Sequence, residues 1–95
     1  MLEKILERKV CQYAKDHGWL VYKWVSPNQR GVCDRILFRD GYTLCIEFKQ
    51  KGKKPTKLQA HHHKLLRAAG IHVEVVDNIE QGKEILDAED NSLIR

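Results

Sequence analysis

Cysteine is sparse in this sequence and falls into no pattern: Cys11, Cys33 and Cys45 are odd in number and nowhere spaced as CxxC. That arrangement argues against both a disulfide framework and a thiolate zinc site, so reduced structural thiols are expected. Long apolar runs are missing too. No stretch approaches the roughly 18 residues of a membrane span, and Met1-Leu-Glu-Lys4 lacks the charged-then-apolar layout of a signal peptide, so a cytoplasmic location is expected. Repeats, linkers and low-complexity segments are likewise absent. What remains, 95 residues of which 42% are hydrophobic and 32% charged, is an ordinary globular composition with room for one core. A single domain spanning residues 1–95 is expected.

Acidic residues are also missing from one region. Between Lys49 and Arg67 lie Lys51, Lys53, Lys54, Lys57 and Lys64 with no Asp or Glu, whereas Asp77 to Asp90 holds Glu80, Glu84, Asp87 and Glu89 against the lone Lys83. The formal net charge of +4 is too small to identify a polyanionic partner. Its distribution says more, predicting a basic side and an acidic tail.

Leu2, Ile5, Leu6, Val10, Tyr13, Ala14 and His17 recur at helical spacing before Gly18, which predicts a helix over about residues 2–17. Trp19 to Val25 is aromatic and β-branched and reads as a strand, ended by the loop Ser26 to Gly31. Two further strands follow as a hairpin. Pro55 closes the loop Lys51 to Pro55, and Thr56-x-x-Gln59 is a capping box opening a second helix whose inward stripe is Leu58, His62, Leu65, Leu66 and Ala69. Ile71 to Val76 is a fourth strand, and Asn78 caps a last helix over about residues 79–88. The predicted order is αβββαβα.

The hairpin Cys33-Asp-Arg-Ile-Leu-Phe-Arg-Asp-Gly-Tyr-Thr-Leu-Cys-Ile-Glu-Phe-Lys49 carries charges where strands favour Val or Ile. A two-residue turn at Asp40-Gly41 pairs Arg39 with Tyr42 and, counted back, sets Asp34 across from Glu47. Opposed carboxylates about 5 Å apart repel unless a cation lies between them. Lys49 falls on the same face by alternation, with Leu44, Ile46 and Phe48 on the other, set to pack against a helix. Two hard oxygen ligands suit Mg²⁺ or Mn²⁺, and such an ion beside a lysine is equipment for phosphodiester hydrolysis. A structural reading stays open: Asp34 bonding backbone amides at a strand end, Glu47 pairing with Arg35 or Lys49, or a one-residue slip of register.

Asp34, followed twelve residues later by Ile46-Glu-Phe-Lys49, resembles the PD-(D/E)XK nuclease signature. Tyr22-Lys-Trp-Val-Ser-Pro27, Gly31-Val-Cys-Asp-Arg35 and Leu58-Gln59 narrow this to a resemblance to the VRR-NUC family, running from the first helix to about Val76. The resemblance implies a restriction-endonuclease-like α/β fold, an αβββαβ core with a small mixed four-stranded sheet flanked by helices. It implies Asp34, Glu47 and Phe48 at the metal, Lys49 as the catalytic lysine, and two further site residues: Glu7 from the first helix, with Glu3 its competitor, and Gln59. Either acid is otherwise a solvated residue near the helix N-terminus, and Gln59 otherwise serves the capping box. Cys33 departs from the family's proline before the aspartate, which relaxes the backbone and changes no ligand.

His61, His62 and His63 point about 100° apart on a helix and do not converge on one ion. His62 reads as a half-buried core residue, and His63 either as structural or as grazing a phosphate. Lys51, Lys53, Lys54 and Lys57, with Arg30, are candidate nucleic-acid contacts or merely solvated charges. Trp19, Tyr22 and Trp24 read as core. The expected function is Mg²⁺- or Mn²⁺-dependent DNA endonuclease activity, with selectivity for four-way junctions and a homodimer implied by the resemblance. The rivals are a catalytically silent DNA-binding module and a scaffold subunit whose charges are only surface.

Overall fold

Seven elements follow one another in the order foreseen: α1 (Glu3–Asp16), β1 (Leu20–Lys23), β2 (Arg35–Arg39), β3 (Tyr42–Phe48), α2 (Lys57–Ala68), β4 (His72–Val76) and α3 (Ile79–Leu93). The computed structural model describes residues 2–25 and 32–93, without the side chains of 89–93. The predicted loop Ser26 to Gly31, and with it Arg30, lies outside the described residues. No helix among the described residues is long and apolar enough to cross a membrane.

The Asp40-Gly41 turn sets the sheet. Both residues have positive φ, 50° and 81°, the geometry of a tight turn whose twist matches its strands. Arg39 pairs with Tyr42 as predicted, and the ladder runs on through Leu37↔Leu44 to Arg35↔Ile46. β1 adds antiparallel to β2 and β4 parallel to β3, giving a mixed sheet ordered β1-β2-β3-β4. Parallel strands need a crossover, and α2 supplies it between β3 and β4.

Alternation along the strands gives the sheet two faces. Leu37, Leu44, Ile46, Phe48 and Val76 pack with Leu6, Val10 and Ala14 of α1 and Leu86 of α3. Cys33, Cys45 and Val73 form a smaller cluster with Trp24, Ile36 and Leu66 of α2 on the other side. All three cysteines are buried free thiols, as their spacing suggested.

Three expectations are corrected. On α2, Leu58 and Leu65 are 47% and 52% exposed, while His63 is buried, so the inward face is rotated by about one residue from the apolar stripe. A polar interaction, described below, sets that phase. In and around β1, Trp19 is buried and Trp24 half-buried as expected, but Tyr22, on this strand at the end of the sheet order, is 56% exposed. The last helix continues past Ala88 to Leu93, a stretch without Gly or Pro to stop it.

Gly82 marks the closest approach of α3 to α1: a Cβ there would lie 2.8 Å from Val10 Cγ2. Val10 is a short branched side chain held at χ1, so it yields little. Gly82→Ala is expected to lower the denaturation midpoint, the overpacking cost of about 1–3 kcal/mol exceeding the gain in helix propensity of about 1 kcal/mol. Adding Gly82→Ala to Val10→Ala should raise the midpoint instead, because the methyl then enters vacated space.

Candidate functional site

Glu47 lies near the end of β3 on the α2 face and is 1% exposed. A carboxylate so deep in a sheet is tolerable only with partners. Two are present. His63 Nε2 of α2 lies 2.7 Å from Glu47 Oε1, and Lys49 Nζ lies 3.3 Å from Oε2. The lysine contact is ionic without hydrogen-bond geometry, so Oε2 is a buried anionic oxygen that accepts no hydrogen bond. The His63 contact explains the rotation of α2: the helix turns its histidine, not Leu65, to the sheet. The sequence signal was there, since His63 stands one turn after Gln59 and one turn before Leu66, both half-buried on the same face. The expected stripe took His62 instead, the neighbour that aligns with Leu58 and Leu65; His62 is half-buried and His63 fully so.

Asp34 stands just ahead of β2. The regular ladder ends one residue short of the predicted Asp34–Glu47 pairing. Asp34 N–H donates to the Ile46 carbonyl at 3.1 Å, the same residue that Arg35 faces, so two residues oppose one as in a bulge. The Phe48 amide donates to Asp34 Oδ2 at 2.8 Å. Burial pushes the Asp34 carboxyl above the usual carboxylate range, opposed by the Phe48 amide and reinforced by the charges of Glu47, Glu7 and Glu3. The two acids are thus electrostatic neighbours without being ladder partners. Both contacts of the structural reading, Asp34 to a backbone amide and Glu47 to Lys49, are present; Arg35 pairs elsewhere.

Glu7 of α1 accepts from Arg35 Nε at 2.5 Å, and both side chains are largely covered. Gln59 closes the capping box as predicted, its Oε1 accepting from Thr56 N–H at 2.9 Å and its own N–H donating to Thr56 Oγ1 at 3.2 Å. Phe48 buries its ring in the core, leaving only its main chain to serve a site. Lys51, Lys53, Lys54 and Lys57 are all exposed around the β3–α2 connection. Among the described residues no three His, Cys, Asp or Glu side chains converge as a metal centre. The donors nevertheless fit a hard cation in kind: they are carboxylate oxygens, one of them buried and unbonded, with the charges of Glu47, Glu7 and Glu3 adding to the burial that raises the Asp34 pKa.

No protein-family model matches the chain. A protein of Acyrthosiphon pisum secondary endosymbiont phage 1, named "Putative nuclease p44", is 36% identical to it over 77 residues, 80% of this chain and 83% of that protein. The chain belongs to the family of that phage protein. A solved structure described as a VRR-NUC domain superposes with a TM-score of 0.83 at 23% identity, covering 90% of this chain and 94% of that one. The family member thus has the VRR-NUC fold, a restriction-endonuclease-like α/β architecture, as the motif order implied.

Two outcomes follow for these acids. His63→Ala leaves Glu47 Oε1 buried without its partner and should cost about 1–3 kcal/mol in denaturant unfolding, with His63→Gln recovering part of it. Asp34→Asn keeps an oxygen for the Phe48 amide and removes a charge that the fold disfavours. Because the folded pKa lies above the unfolded one, the native state binds the proton more tightly, and stability falls as pH rises through that interval. Asp34→Asn should therefore melt higher than the parent at neutral pH, with the difference vanishing below the unfolded carboxylate pKa.

Proposed function

We propose that this protein is a metal-dependent nuclease that hydrolyses DNA phosphodiester bonds, selective for branched DNA such as four-way junctions and active as a homodimer. The observation that carries this reading is the buried Glu47 carboxylate, with Lys49 Nζ at 3.3 Å and Oε2 unbonded, beside an Asp34 whose acidity is already suppressed. The fold of VRR-NUC domains and a relative named as a nuclease support it.

Asp34, Glu47 and the main-chain carbonyl of Phe48 would hold Mg²⁺ or Mn²⁺, and the ion would supply a polarised phosphodiester and a more acidic water. Lys49, fixed by Glu47, stands ready to steady charge developing on the phosphoryl oxygens. His63 holds the Glu47 carboxylate in one orientation. Lys51, Lys53, Lys54 and Lys57 offer exposed cations to the phosphate backbone beyond the acids.

Symmetric cutting of two strands requires two sites related by a twofold axis, which one small domain does not contain. β1 is an edge strand, and Leu20, Tyr22 and Val25 on and after it, with Phe38 of β2 beside them, are exposed apolar side chains suited to a second copy. One observation favours the alternative of a silent DNA-binding module: the acids do not converge as a three-ligand set among the described residues.

The decisive experiment incubates nicked, flapped and four-way DNA with the protein and Mg²⁺ or Mn²⁺. Cleavage should appear with the four-way substrate, stop with chelator, and fall by at least about 10²-fold in Asp34→Ala and Lys49→Ala that still fold. Gel retardation without cutting by the parent, or full cutting by Asp34→Ala, would overturn the nuclease reading. A monomer mass in sedimentation, with and without DNA, would remove the homodimer from it.

A further inference from the structure

A second concentration of positive charge lies on the α1 side of the sheet, away from the lysines that follow β3. A groove of about 310 Å³ between α1 and the β1–β2 edge is lined chiefly by Lys4, Glu7, Arg8, Lys15, Lys23 and Arg35. Lys4, Arg8 and Lys15 recur at the four-and-seven spacing that puts side chains on one face of a helix, next to the buried stripe of Leu6, Val10 and Ala14. Lys23 and Arg35 are ladder partners across β1 and β2, so the opposite wall is built from the sheet itself.

Five cations meet one carboxylate there. Glu7 is taken by Arg35 at 2.5 Å, and among the described residues Lys4, Arg8, Lys15 and Lys23 have no ion-pair partner. The whole chain has a formal surplus of only +4, so this groove gathers as much positive charge as the entire protein has in excess. Like charges in one concavity repel each other, and an extended anion relieves them.

The groove reaches Arg35, which directly follows Asp34 in the chain and pairs with Glu7 of α1. The Lys51 to Lys57 connection leads instead to α2, on the other face of the sheet. Lys4 to Lys15 spans about 16 Å of helix, a length that runs beside about five phosphates of one DNA strand.

We propose that the α1–β1 groove is a second phosphate-backbone site, which seats the DNA strand on the side of Asp34 opposite the β3–α2 lysines. The proposal rests on the nuclease reading above and adds the path of the strand: held by Lys4, Arg8, Lys15 and Lys23 on one flank and by Lys51 to Lys57 on the other, with the acids between.

The test measures fluorescence anisotropy of labelled linear duplex and four-way DNA across a salt series, with every variant in an Asp34→Asn background so that cleavage does not enter. Replacing Lys4, Arg8, Lys15 and Lys23 with Ala should weaken binding by at least about tenfold and flatten the slope of log affinity against log salt by about 3 to 4, near 0.9 per lost phosphate contact. Lys9→Ala with Lys83→Ala, on the other flank of α1 beside Asp16 and Glu80, should change the slope by less than about 1. Removal of like charges should leave the melting temperature of the fourfold variant unchanged or higher, which separates lost contacts from lost folding. An unchanged affinity and slope in the fourfold variant, while the Asp34→Asn background binds DNA, would overturn the groove and leave the nuclease reading standing. No DNA binding by the background protein would overturn both.

Discussion

A carboxylate buried in a β-sheet governs how this molecule is assembled. Glu47 has lost its water, and the fold answers with a histidine from α2 on one oxygen and the ammonium of Lys49 near the other. The histidine sets the rotational phase of α2 against the sheet and leaves Leu58 and Leu65 facing out, while the carboxylate holds Lys49 beside it. Desolvated charge is costly even when paired, so a site arranged this way sacrifices stability for a charge in a fixed place. The hydrophobic work is done on the other face, where Leu37, Leu44, Ile46 and Phe48 pack with α1 and α3.

Much of this was legible in the sequence, and the parts that were not have physical reasons. Asp40-Gly41 specifies one turn type, the turn specifies the register, and the register puts Leu44, Ile46 and Phe48 on one face and Glu47 on the other. Thr56 and Gln59 announce the start of α2 through a local hydrogen-bond exchange that needs no tertiary context. Counting along the ladder failed at Asp34, because a ladder can end in a bulge and sequence does not mark where. The α2 stripe failed because a single polar contact outweighed two leucines. The Arg35–Glu7 pair joins residues far apart in the chain, and nothing local in either helix or strand foretells it.

Positive charge gathers in two places: exposed lysines lie on the β3–α2 connection, and cations without an ion-pair partner among the described residues line the groove along α1. A net charge of +4 hides this, since the acidic residues of α3 offset the basic surfaces in the sum without approaching them in sequence. The fold is that of VRR-NUC domains, and the chain is kin to a phage protein named as a nuclease.

The most direct test of Glu47 as a metal-holding group is calorimetric titration of Mn²⁺ into the parent and into Glu47→Gln, each with DNA present. Uptake by the parent and its loss in a folded Glu47→Gln would agree with an oxygen left unbonded to meet a cation. Equal uptake by both proteins, or none by the parent, would contradict it.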